Sequence, residues 1–185
     1  MIRIAPCDSE TPPSGRVREL FDDVAARHGR VPNLHRTLAH SPAALDGYLA
    51  LDAALDRGRL ERTLRERIAL AVAEINLSSY CLSAHAATSG LSGAEIRAAR
   101  LATAEDPKAD ALLKLACQLV LGRGDVSDGA LASARAAGVG PAEIAEVVAN
   151  VAANVLANYI TLIAETEVDY ELVIPGDELA PLALA

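Results

Sequence analysis

The stretch RERIALAVAEINLSSYCLSAH, residues 65–85, decides the reading of this chain. Its first part continues an apolar stripe at helical spacing, Leu60, Leu64, Ile68, Val72 and Ile75, over a helix expected from about Leu60 to Leu77. The start of that helix is charged, whereas IALAVAEI is apolar nearly all round, as a buried helix is. Glu66 falls opposite the stripe, beside Ala69, Leu70 and Ala73, and is expected to be partly desolvated. A break at 76–79 precedes a helix from about Ser79 to Ser89. Cys81 lies in its first turn, and His85 follows one turn later on the same face. Unsatisfied N–H groups and the helix dipole favour an anion there and lower a thiol pKa, and an imidazole accepts or returns protons near neutrality. Against this stands a plainer reading, in which Cys81 is a small apolar filler and His85 a structural histidine. Ser78, three residues before Cys81, places a hydroxyl where the first thiol of a CxxC pair would be.

Outward from this stretch the pattern stays helical. Helices are expected over about Ser14–His28, Pro42–Leu55, from Ser92 to Leu101, Lys108–Leu121, 128–137 and from Pro141 to about Glu165. GRVPN (29–33) reads as a turn, and IRIA (2–5) and ELVI (171–174) are the only short strand candidates. Ser92-Gly-Ala-Glu95 is a capping-box signature, Ser127 a candidate N-cap, and Pro141 a first-turn proline. Gly90-Leu-Ser-Gly-Ala-Glu-Ile96 realigns with Gly138-Val-Gly-Pro-Ala-Glu-Ile144, which predicts two similar three-helix units. The expectation is one all-α domain over 1–185, with 1–13 as an extended arm and 166–185 as an extended or loosely docked tail.

Composition excludes several classes. The 185 residues are 51% hydrophobic and 23% charged, which suits a packed globular domain. A formal charge of −8 with no basic cluster argues against nucleic acid and against an anionic membrane surface. Aromatics are only 3%, so a base-stacking platform is not expected. Val147–Ala164 approaches bilayer-spanning length, yet Asn150, Asn154 and Asn158 would be costly in lipid, and it reads as a buried helix of a soluble protein. Those amides need partners across a helix or subunit interface; alternatively they line a pocket. Cys7, Cys81 and Cys117 form no disulfide framework, and no targeting signal is apparent, which points to the cytoplasm. Cys117 reads as core, and His28, His35 and His40 as surface or capping residues. Cys-x₃-His offers two metal ligands without a second pair, so neither metal nor cofactor is expected.

Glu66, Cys81 and His85, with PNLHRTLAHSPAAL (32–45), YCLSAH (80–85) and NYITLIAETEVDY (158–170), resemble the carboxymuconolactone decarboxylase superfamily, in particular its alkylhydroperoxidase D-like branch. The resemblance implies an all-α bundle of a repeated helical unit, assembled as homo-oligomers such as trimers or hexamers. It implies Cys81 as the thiol that attacks a hydroperoxide, with His85 and Glu66 as proton relay, and Tyr80 as a phenol contact beside the thiol. Ser78 stands where that branch has its resolving cysteine. This leaves a one-cysteine peroxidase served by an external thiol reductant, a serine substituted to trap a state, or a chain that has left peroxide chemistry. The decarboxylase side of the family implies a lyase or isomerase on a small organic acid or lactone, using His85 and Glu66, with Arg65 or Arg36 as counter-charge. A catalytically silent member is the third alternative.

Overall fold

A computed structural model describes residues 2–12 and 14–177, and among these the regular structure is entirely helical. Nine helices follow in order: α1 (Gly15–His28), α2 (Asn33–Leu38), α3 (Pro42–Leu55), α4 (Arg62–Ile75), α5 (Ser79–Thr88), α6 (Gly93–Arg100), α7 (Pro107–Leu121), α8 (Asp128–Ala136) and α9 (Pro141–Ala164). IRIA and ELVI form no strands. Most boundaries are written in local chemistry. Ser14, Ser41, Ser78, Ser92, Asp106 and Ser127 each accept a first-turn backbone N–H. Pro42, Pro107 and Pro141 occupy first-turn positions where no N–H is needed.

α4 is the central helix. Ile68, Ala71 and Val72 join one core with residues of α7, α8 and α9, while Leu70 and Ala73 join a second core with α1, α2, α3 and α5. Every residue from Ile68 to Glu74 is buried, which accounts for the apolar run without amphipathic alternation. The predicted repeat is visible in the order α4–α5–α6 and α7–α8–α9. Its two turns are built alike: Gly90 and Gly138 adopt φ of 75° and 85°, conformations that cost a side chain strain. Glu95 and Glu143 then reach back to the backbone N–H groups of Ser92 and Gly140.

Three expectations are corrected. α2 lies within a segment read as turn and connection; six residues are too few to show a period. His35, on α2, is buried rather than superficial, with its ring against His28 and Tyr48. The tail is firmly docked as far as it is described. Asp169 pairs with Arg30 and accepts from Asn33 N–H, Ser83 Oγ accepts from Val173 N–H, and the buried Arg100 donates to Ile174 O and Asp177 O. Arg100 is itself held by buried Glu74 at 2.8 Å, and Glu74 also accepts from Gly176 N–H. Residues 178–185 of the expected tail, and residues 1 and 13 of the arm, lie outside the described residues. The arm docks through Cys7 N–H to Arg36 O and through Arg3 and Ile4 N–H to Ala164 O.

α9 passes the length and hydropathy test for a membrane span, yet it packs against α2, α3, α4, α5 and α7. Asn150 and Asn158 are buried along it, while Val148, Leu156, Tyr159, Leu162 and Ile163 are exposed.

Candidate active site

α4 ends at Ile75 with Asn76 as its C-cap, and Leu77 takes a left-handed φ of 57° that turns the chain so that α5 packs back on α4. Ser78 Oγ accepts the N–H of Cys81 at 3.3 Å and closes the first turn of α5. The hydroxyl that replaces a thiol in the CxxC comparison thus has a structural task that serine performs well.

The packing of α5 on α4 brings His85 to Glu66. Nδ1 lies 2.8 Å from Oε2, and the two side chains are 28% and 17% exposed. Burial pushes the Glu66 carboxyl up, but the hydrogen bond and charge of His85, with Arg62 and Arg65 nearby, outweigh it and hold the group below its ordinary value. A carboxylate on Nδ1 orients the imidazole and leaves Nε2, which has no hydrogen bond to any described residue, for outside chemistry. The pair borders a cavity of about 60 Å³ lined also by Tyr48, Asp52, Arg65 and Asn154, with room for a few water-sized groups. A wider surface cleft of about 450 Å³, lined by Arg27, His28, Asp56 and Arg62, shares Asp52, Arg65 and Glu66 with it.

Most polar groups of the cavity are already committed. Arg65 pairs with Asp52 and Asp56 and donates to Asn150 Oδ1, so it faces the site but its charge is spent. Arg36 donates to Cys7 O and Asn33 Oδ1 instead, away from the site. The Tyr48 hydroxyl makes no hydrogen bond to a described residue, and burial raises its pKa well above the usual phenol range, so it stays a neutral donor. Sequence reasoning missed Tyr48 because nothing in GYLAL separates a cavity tyrosine from a core one. The asparagines do both things expected of them: Asn150 and Asn158 bond across to α4 and its C-terminal turn, through Arg65 and Asn76, and Asn150 and Asn154 line the cavity.

Cys81 departs from expectation. Its residue is 2% exposed, and no hydrogen bond joins its sulfur to His85. Sγ instead lies 3.7 Å from Thr161 Oγ1 of α9. Burial raises the thiol pKa; the hydrogen-bonding groups of Ser78, Thr161 and Asn158 oppose that without overcoming it. The helix start that favours a thiolate is therefore outweighed by desolvation. Tyr80 does not serve the sulfur either: its hydroxyl accepts Leu34 N–H at 2.9 Å, and its ring meets Tyr170 edge-on. Among the described residues, no group of three or more His, Cys, Asp or Glu side chains is placed to hold a metal.

The fold and this site define an all-helical protein with a carboxylate-oriented histidine one helical turn from a capped, buried cysteine. Residues 42–116, which carry all of those groups, match the carboxymuconolactone decarboxylase family. No curated protein matches the chain. Its fold is the alkylhydroperoxidase D-like one. An alkylhydroperoxidase AhpD core from Ralstonia eutropha JMP134, an uncharacterized peroxidase-related protein, superposes with a TM-score of 0.78 at 23% identity, over 91% of this chain and 92% of that one. A peroxidase-related protein from Silicibacter sp. TM1040 gives 0.71 at 19%, over 89% and 91%. The debrominase Bmp8 gives 0.74 at 17%, over 90% and 91%, and a related structure of it holds 2,3,4-tribromopyrrole.

Proposed function

We propose that the protein is an enzyme of proton transfer, a lyase or isomerase acting on a small organic acid or lactone, with His85 as its working acid–base group and Glu66 as the residue that orients and charges it. The observation that carries this reading is the 2.8 Å Glu66–His85 contact at the edge of a cavity that shares Asp52, Arg65 and Glu66 with the wider surface cleft. Glu66 holds the Nδ1 proton and stabilises the imidazolium that forms when Nε2 takes a substrate proton. Neutral Tyr48 is placed to donate to a substrate oxygen in the same space. Arg27 and Arg62, at the mouth, supply positive charge for an anionic substrate group.

A second reading is thiol peroxidase chemistry at Cys81, with an external thiol as reductant. The polar shell of Ser78, Thr161 and Asn158 around the sulfur favours it, since a filler cysteine needs none. The first reading ranks ahead because the sulfur is sealed and lacks contact with His85. In either case we take the protein to be a cytoplasmic homo-oligomer, a trimer or hexamer, covering the exposed apolar residues of α9.

Two assays on Cys81→Ala and His85→Gln separate the readings: carbon dioxide release from carboxymuconolactone, and hydroperoxide consumption with dithiothreitol. Acid–base chemistry requires the first activity, kept by Cys81→Ala and lost by His85→Gln. Hydroperoxide consumption abolished by Cys81→Ala, with no carbon dioxide release, would replace it with the thiol reading.

A further inference from the structure

Asn158 is fully buried on α9, and its side-chain amide is half used. Oδ1 accepts from Asn76 at 2.9 Å, whereas Nδ2 is buried without a hydrogen-bond partner among the described residues. A buried donor left unsatisfied is costly and calls for an explanation. Asn158 lies one helical turn before Thr161 on α9, on the side of the helix that meets Cys81, and its amide nitrogen makes no hydrogen bond to the resting thiol.

Thr161 completes the arrangement. Its hydroxyl proton is directed to the carbonyls of Ala157 and Asn158, at 3.0 and 2.9 Å. Its oxygen is therefore an acceptor toward the hydroxyl of Ser78 at 3.2 Å and the thiol of Cys81 at 3.7 Å. Around the sulfur stand one spare donor, Asn158 Nδ2, and one acceptor, Thr161 Oγ1. A thiol uses only the acceptor. An S–O–H group uses both, because its oxygen can accept from Asn158 while its proton goes to Thr161.

We propose that Asn158 and Thr161 form a receiving site for the oxygen of a singly oxidised Cys81, holding it as a persistent sulfenic acid. This rests on the thiol reading, and it concerns the fate of the sulfur once it has been oxidised. In the oxidation itself a sulfur electron pair attacks the terminal oxygen of a hydroperoxide. The O–O bond breaks, an S–O bond forms, and the leaving alkoxide takes the thiol proton and departs as alcohol. Sulfur loses two electrons and the peroxide gains them. No thiol stands at position 78 to resolve the product, and Cys117 belongs to the other core. Asn158 and Thr161 are positioning residues here; the reacting atom is the sulfur.

The test treats the full-length protein, in its native assembly, with hydrogen peroxide, removes excess peroxide at timed intervals, unfolds each sample in denaturant containing dimedone to trap sulfenic acid, and maps Cys81 by peptide mass spectrometry. The expected result is a one-oxygen Cys81 that persists. Its lifetime before further oxidation should fall roughly 3- to 10-fold in Thr161→Val and in Asn158→Leu, the effect of one hydrogen bond each. Thr161→Val is nearly isosteric and carries the test if Asn158→Leu does not fold. An unoxidised Cys81 at a peroxide dose that oxidises Cys7, a Cys7–Cys81 disulfide, or an unchanged lifetime in Thr161→Val overturns the proposal. Steady-state peroxide consumption with dithiothreitol is measured on the same samples. A persistent adduct without turnover defeats the peroxidase reading alone, whereas turnover with unchanged lifetimes defeats the receiving site alone.

Discussion

Glu66 Oε2 and His85 Nδ1 meet at 2.8 Å across two helices, nineteen residues apart in the chain. Neither group is remote from water, so the pair contributes little to stability; its part in the proposed function is acid–base work. Replacing His85 by Gln should lower turnover of the natural substrate about 10²- to 10⁴-fold. Glu66→Gln should lower it less, because the imidazole keeps a hydrogen-bond partner and loses only the charge. Near-equal kcat/KM for wild type and His85→Gln would remove the acid–base role.

The three thiols should alkylate in an order set by burial. Desolvation raises Cys7, Cys81 and Cys117, the last to about 12, and only Cys7 is appreciably open to solvent. Iodoacetamide near pH 8 should therefore label Cys7 first and leave Cys81 and Cys117 largely unmodified in the folded protein. Labelling of Cys81 ahead of Cys7, read by peptide mass spectrometry, would mean an activated thiol.

His35 should make stability depend on pH. Its residue is 6% exposed, Nδ1 has no hydrogen-bond partner among the described residues, and burial pushes its pKa down to about 4. The unfolded chain, with an ordinary histidine near 6.5, binds the proton first as pH falls. The contribution is complete above about 6.5 and is lost progressively toward 4, on the order of 3 kcal/mol in all. Urea unfolding between pH 7 and 4.5 should show this loss, and His35→Leu should flatten it. Glu66, whose pKa is also lowered, contributes in the same sense over a lower range: its stabilisation is present above the ordinary carboxylate range and fades only below it.

Glu74 and Arg100 hold the tail through a pair whose side chains are 4% and 9% exposed. Glu74→Ala leaves a buried guanidinium without its counter-ion and also frees Gly176 N–H. The expected cost is about 3–5 kcal/mol. Replacing both residues, Glu74→Met with Arg100→Met, should cost much less, since no charge is then stranded. Equal losses in the single and double variants, by denaturant unfolding, would show that the pair is not the clasp.

How far the sequence could be read depended on the range of the interaction concerned. Ser92, Ser127 and Pro141 act within one helical turn of themselves, so the starts of their helices were legible. Glu66 on the face away from the stripe was legible for the same reason. α2 was not, because six residues carry no period and its packing partners are elsewhere. Tyr48 and the clasp at Glu74 were not, because their roles depend on what stands opposite.

The residues alone determine the helices other than α2, the shared face of Cys81 and His85, and the resemblance to a family. Tertiary structure alone decides how those groups behave. Thr161, eighty residues along the chain, meets the sulfur, and the burial of that sulfur raises a pKa that the helix start would otherwise lower. Capping and dipole effects are short-ranged along the backbone, whereas desolvation sums over every atom nearby in space, whatever its position in the chain.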